Sequence, residues 1–266
     1  MYFKVLFFCL ILPISLLAQE NKESLAFQLR HHLEIYSELN PDEKEYHLSD
    51  IDYTAERAKE EALYFEGEGE IDAFMVIWFY GQKIHKTMRS LIDQYSFEDV
   101  LHFNQNNIEM KWSADGRFFN YSINGKAGGT FQSRDSKSFY CSEDGVLYDV
   151  TGISSNGIAK IYTIESESQT KYLLLELTQS CTTCHIQKVN LVHFVNGKYI
   201  SDFTYAMQNR EGNLEIEYKE DTQRIKIHYT TDDMQSYCDC DQSSSWDNRT
   251  YVEKLEDETE HCFCEF

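Results

Sequence analysis

Two hydrophobic periods divide the chain. In its first part, apolar side chains recur every three or four positions. Leu25, Leu29, Leu33, Tyr36 and Leu39 form one stripe that stops at Asn40-Pro41, as expected of a helix that buries one face. The same spacing predicts a short helix from Tyr53 to Phe65, ended by Gly67 and Gly69, and a long helix from Ile71 to Gln94. Taken alone, the run Ala73–Tyr80 also suits a buried strand. Its continuation through Phe74, Ile77, Gly81, Ile84, Met88, Leu91 and Tyr95 keeps the helical spacing and decides for helix. Its apolar stretch is too short to span a bilayer. Ser96-Phe97-Glu98-Asp99 reads as the cap of one more turn.

Past residue 105 the period changes to two. Ile108, Met110 and Trp112 alternate with Glu109, Lys111 and Ser113, and Ala114-Asp115-Gly116-Arg117 turns the chain into Phe118–Ile123. Further strands are predicted at Ser138–Ser142, Gly145–Val150, Ile158–Glu165, Tyr172–Gln179, His185–Val195, Lys198–Ala206, Leu214–Lys219 and Arg224–Thr230. Val195-Asn196-Gly197-Lys198 is the strongest turn signal, because Asn-Gly accepts the positive φ angles of a two-residue hairpin. Leu214, Ile216 and Tyr218 match Ile225, Ile227 and Tyr229 on neighbouring strands, with charged residues between them. This is the pattern of an antiparallel meander with one wet face. Leu173-Leu174-Leu175 reads as a strand buried on both faces.

These elements predict an α+β fold. Its helical N-terminal region, residues 19–105, is expected to pack on a predominantly antiparallel β-sheet domain, residues 106–266, with a Cys-rich C-terminus. The segment Ser113-Ala114-Asp115-Gly116-Arg117-Phe118-Phe119-Asn120-Tyr121-Ser122, followed by Gly128-Gly129-Thr130, resembles a signature of a functionally uncharacterised family of exported bacterial β-rich proteins. Tyr172–Leu175 and Phe194-Val195-Asn196-Gly197-Lys198 belong to the same resemblance, which covers the β half only. It implies a style of fold and export, and no activity.

Export is also predicted at the N-terminus. Lys4 precedes an apolar run from Val5 to Leu17, Ala18 follows, and the chain then turns polar at Gln19-Glu20. That order predicts a signal peptide over residues 1–18, cleaved before Gln19 into the periplasm, the extracellular space or the cell surface. Cys9 lies inside the apolar run and so does not suit a lipid-modified mature N-terminus. Cleavage removes one cation and no acid, taking the formal charge from −21 to −22. A polyanion of this kind is repelled by nucleic acid and by anionic membrane surfaces. With 18 Tyr, 17 Phe and only 2 Pro, the composition favours a packed core over disorder.

Cleavage leaves seven cysteines: 141, 181, 184, 238, 240, 262 and 264. Cys238-Asp239-Cys240 and Cys262-Phe263-Cys264 each place two thiols on one face of an extended chain. If the two segments are antiparallel neighbours, Cys238 meets Cys264 and Cys240 meets Cys262 in one register. Disulfides in an oxidising compartment are therefore expected there. Four-thiolate zinc is the rival, but zinc ribbons place two residues between paired cysteines and this chain has one. Cys181-Thr182-Thr183-Cys184-His185 matches the attachment pattern of a c-type haem, in which two thioethers anchor the porphyrin and the His binds iron. It sits between two strand-like runs, with no helix after it. Structural thiols or a local disulfide are thus the first reading, with haem as the alternative and a redox dithiol as the third. Met207, Met234 and His193 qualify as second axial ligands by residue type only. Cys141 is left over, as a free thiol or as a partner for Cys181 or Cys184.

Other chemistry finds little footing. Asp239–Ser243 begins like a calcium loop, but Ser244 stands where Gly is needed and Thr250 where Glu should close it. His31-His32 are adjacent on a predicted helix and point to different parts of its surface. No metal site or catalytic set is selected, and no phosphate-binding glycine loop or hydrolase motif is present. The expected function is a non-enzymatic exported module, binding or structural, with an envelope or extracellular ligand and no cofactor. The alternative is a c-type haem protein acting through Cys181, Cys184 and His185.

Overall fold

The computed structural model describes residues 22–51, 53–54, 69–95, 108–127, 133–153, 156–165, 169–179, 185–209, 214–220, 224–229, 235–240, 250–254 and 260–264. The predicted signal peptide, the predicted helix at Tyr53–Phe65 (beyond Thr54), the cap at Ser96–Asp99 and the thiols of the Cys181–Cys184 motif lie outside them. The chain divides into two compact units, Met1–Asn107 and Ile108–Phe266.

In the first unit, helix α1 covers residues 22–38. Leu29, Leu33, Tyr36 and Leu39 of the predicted stripe are buried, and Leu25 is half-buried. Strand β1 (Glu45–His47) pairs antiparallel with β2 (Glu70–Asp72), and a 3-10 turn covers Leu48–Ile51. Helix α2 (Ala73–Gln94) follows directly. It starts two residues later than its apolar period suggests. The Asp72 side chain accepts from the backbone N–H groups of Phe74 (2.9 Å) and Met75 (3.2 Å), which makes it the N-cap. Ile71, buried at 1% exposure, is thereby freed to pair with Tyr46 in the ladder. The Lys22 ammonium lies 5.1 Å from the Tyr95 ring centre, and His32 meets Tyr80 edge-on at 6.1 Å. The two helices therefore run antiparallel. The Tyr80 hydroxyl donates to the Ile51 carbonyl at 2.7 Å, tying the 3-10 turn to α2.

The second unit begins with a four-stranded antiparallel meander: β3 (Ile108–Trp112), β4 (Phe118–Asn124), β5 (Arg134–Cys141) and β6 (Leu147–Val150). A second meander, β7 (Ile158–Glu165), β8 (Thr170–Gln179), β9 (His185–Val195) and β10 (Lys198–Asn209), continues the chain. The hairpin β11 (Leu214–Lys219) and β12 (Arg224–Tyr229) follows. Then β13 (Gln235–Cys240) returns to pair with β10, completing a five-stranded sheet of order β13-β10-β9-β8-β7. The last pair is β14 (Thr250–Lys254) with β15 (Glu260–Cys264).

The two larger sheets share a core of Phe118, Val150, Ile158, Tyr172, Leu174 and Val192, with Tyr140 and Phe194 stacked against it at 3.9 Å and 6°. Hydrogen bonds also cross between them, from Ala114 N to Thr163 Oγ1 (3.0 Å) and from the Tyr199 hydroxyl to the Gly152 carbonyl (2.9 Å). Asn196 (φ 50°) and Gly197 (φ 75°) form the predicted tight turn, with Val195 opposite Lys198. The predicted apolar pairing holds in the β11–β12 register, with Leu214 opposite Tyr229, Ile216 opposite Ile227 and Tyr218 opposite Ile225.

The α+β expectation, a helical N-terminal region packed on a sheet domain, is corrected by this architecture. The chain is β-rich and mostly antiparallel, with only two α-helices among the described residues. The N-terminal residues form a compact unit with its own core and its own strand pair. Helical spacing hid β1 and β2 because three-residue strands are too short to establish a period of two. A single wet face is also not the rule. Strand β4 is buried at every position from Phe118 to Ile123, and Tyr172, Leu173 and Leu174 on β8 are buried on both faces.

Candidate functional site

Among the described residues, a buried cluster of charged groups is built across three neighbouring strands. Lys171 on β8 is 1% exposed and Asp202 on β10 is 6% exposed, and between them lies β9 with His193. Lys171 Nζ approaches Asp202 Oδ2 at 2.9 Å, and His193 Nδ1 approaches the same oxygen at 2.9 Å. The register explains how Asp202 gets there. Ser201 pairs with Val192 and Phe203 with Leu191, so Asp202 is the extra residue of a β-bulge, a device that re-aims a side chain. Around the cluster, Leu173, Leu191, Phe203 and Ile164 are all buried. An amine and an imidazole thus converge on one carboxyl oxygen in an apolar setting, where charged groups are costly unless paired.

A second constellation organises the turn between β3 and β4. Asp115 Oδ1 accepts from the Ser113 hydroxyl (2.5 Å) and from Arg117 N (3.1 Å), while Asp115 Oδ2 accepts from the Tyr172 hydroxyl (2.8 Å). Arg117 reaches Glu143 at 2.9 Å. Burial pushes the Tyr172 hydroxyl well above the usual tyrosine range, and its bond to Asp115 adds to this. Burial also raises Tyr140. These groups lock the turn of one sheet to a central strand of the other. They also give the Ser113–Ser122 segment a structural role.

The third feature is on the surface. Phe74 is 55% exposed and Trp78 is 61% exposed, one helical turn apart on α2, with Met75 at 38% beside them.

The residues singled out from sequence fall in different places. His185 opens β9, opposite Gln179 on β8 and Asn209 on β10, so the haem-like motif occupies the β8–β9 connection. Met207 stands opposite Gln187, two ladder positions in from that end, and Met234 lies outside the described residues. His193 is engaged with Asp202 through Nδ1. Cys238 stands opposite Tyr205 and Cys240 opposite Phe203, whereas Cys262 stands opposite Val252 and Cys264 opposite Thr250. The expected Cys238–Cys264 and Cys240–Cys262 bonds involve side chains outside the described ones. Asp239 and Cys240 belong to β13, and the rest of the calcium-like segment lies outside the described residues. The His31 ring stacks on Phe27 at 6.5 Å, and among the described residues no group of three metal-ligating side chains forms.

Cys141 is a half-buried free thiol that ends β5. Its neighbour Tyr140 stacks on Phe194, close to the Asn196-Gly197 turn, while His185 is at the other end of β9.

Sequence reasoning missed Lys171 and Asp202. A signal for the bulge was present, because Ile200, Phe203 and Tyr205 are spaced three and then two apart, and a slip of that kind marks an inserted residue. None of the described helices is long and apolar enough to cross a membrane. Comparison with known proteins yields no match to a family model, a curated protein or a solved structure.

Proposed function

We propose that this protein is an exported, non-enzymatic binding module that engages an envelope or extracellular ligand through the aromatic face of α2. The observation that carries the reading is the exposure of Phe74 and Trp78 one turn apart, with Met75 between them. Contiguous exposed apolar side chains mark interaction surfaces, and Trp is the residue most enriched where binding energy concentrates. The strongly acidic chain disfavours nucleic acid and anionic lipid as that ligand.

The test is co-sedimentation of the mature protein, starting at Gln19, with the envelope fraction of its host. Trp78→Ala with Phe74→Ala should keep the wild-type circular dichroism, because both side chains are exposed. It should weaken binding at least 30-fold, as loss of a contact worth about 2 kcal/mol requires. Equal retention of wild type and variant would refute the assignment of the surface. A Soret band in protein made in a host competent for cytochrome c maturation would replace it with the c-type haem reading. Recovery of intact Met1 from an extracytoplasmic fraction would overturn cleavage before Gln19.

A further inference from the structure

We propose that Lys171 and Asp202 become joined by a spontaneous isopeptide bond that staples β8 to β10 across β9. Three observations meet here. The amine nitrogen and a carboxyl oxygen are 2.9 Å apart with both residues buried, at 1% and 6% exposure. His193 Nδ1 touches that same oxygen at 2.9 Å. The bulge between Ser201 and Phe203 turns Asp202 toward the pair. The flanking strands are two inter-strand steps apart, about 10 Å, a gap that an extended lysine side chain spans once Asp202 leans toward it.

The apolar surroundings favour the reaction because an ion pair there gains from becoming neutral. One proton passes from Lys171 Nζ to Asp202 Oδ2 across their contact, leaving an amine and a carboxylic acid. The nitrogen lone pair attacks Cγ and forms the new C–N bond. The second proton lost by the nitrogen is delivered to Oδ2 by His193, which is hydrogen-bonded to that oxygen. The Cγ–Oδ2 bond then breaks and Oδ2 leaves as water. The products are one amide and one water; no oxidant, cofactor or external reactant takes part, and His193 ends in its starting state.

The measurement is the intact mass of the purified, fully reduced full chain, followed by tryptic mapping. The expected mass is lower than that of the sequence by one water, with a branched peptide joining the segments that contain Lys171 and Asp202. Lys171→Arg keeps the cation but should restore the full mass, and His193→Phe should slow bond formation in freshly refolded protein at least tenfold. A wild-type chain of full sequence mass, cleaved by trypsin after Lys171, would overturn the proposal whatever the variants do. A water-loss species whose mapping places the change elsewhere would overturn it equally.

Discussion

Replacing Tyr172 by Phe removes one oxygen from the centre of the second unit and leaves the ring packed against Phe118 (5.6 Å) and Phe194 (5.7 Å). What is lost is the 2.8 Å hydrogen bond to Asp115. Bonds to charged acceptors contribute about 1.5–3 kcal/mol when both partners are dry, but Asp115 is exposed and regains water, so a cost of about 1 kcal/mol is expected at pH 7. The pH dependence carries more information. Burial first, and the bond to Asp115 second, hold the folded-state Tyr172 pKa above its unfolded value. The unfolded chain therefore sheds this proton near pH 10 while the folded chain keeps it. Stability from this source is complete below pH 10 and is lost above it, at about 1.4 kcal/mol per pH unit. Tyr218 is raised in the same direction and acts alike in both proteins, while Tyr140 contributes to the Tyr172 shift as a lesser cause, so the difference reports Tyr172 together with that coupling. Urea unfolding followed by circular dichroism from pH 7 to 11 should show Tyr172→Phe less stable at neutrality. The gap should close and reverse by about pH 11. Asp115→Ala also loses the bonds from Ser113 and Arg117 N and should cost more than Tyr172→Phe at pH 7, yet keep most of the alkaline slope, because burial, the larger cause, remains. A gap that stays constant from pH 7 to 11 would refute the reasoning.

Further expectations concern single sites. Gly197→Ala puts a Cβ into the ring of Tyr148 at a positive φ, and should cost about 2–4 kcal/mol by thermal or urea unfolding. In a Tyr148→Ala background the same change should cost only about 1 kcal/mol, from the backbone alone. Leu174→Ala empties a fully buried position between the two sheets and should lower stability by about 3–4 kcal/mol in the same assay. Asp72→Ala removes the cap of α2 and should cost about 1 kcal/mol, with helical signal lost before global unfolding. Iodoacetamide added to native, unreduced protein should label the peptide containing Cys141, and absence of label there would show that its thiol is bonded.

Much of the backbone was legible because its determinants are local. Strands β7, β9 and β11 match their predicted limits, and Asn196-Gly197 turns where its dihedral preferences require. The start of α2 was misjudged because Ile71 fits two periods at once and only the Asp72 cap separates them. The architecture was missed at a higher level, since period alone does not reveal whether a helical stretch builds its own unit or covers a sheet. The Lys171–Asp202–His193 cluster was illegible for a related reason. It depends on the relative register of three strands and on a bulge that shifts one of them by a single residue. The cysteine motifs announce themselves in sequence, but their meaning depends on which strands become neighbours. The ladders of β13 with β10 and of β14 with β15 are non-local information of that kind.

The strand order of the larger sheet also implies an order of assembly. From β7 to β10 each strand pairs with its successor in the chain, so these hairpins close over short loops with little entropic cost. Strand β13 reaches β10 only after the chain has passed through β11 and β12, and it docks on a preformed edge. The outermost strand should therefore be the last to join during refolding and the first to open in the native state. Amide hydrogen exchange would record this as early exchange across Gln235–Cys240, while the amides of Asn190 and Leu191, enclosed by strands on both sides, persist to the global limit. Solvent would then reach the Cys238–Cys240 backbone through a local opening that leaves the rest of the sheet intact.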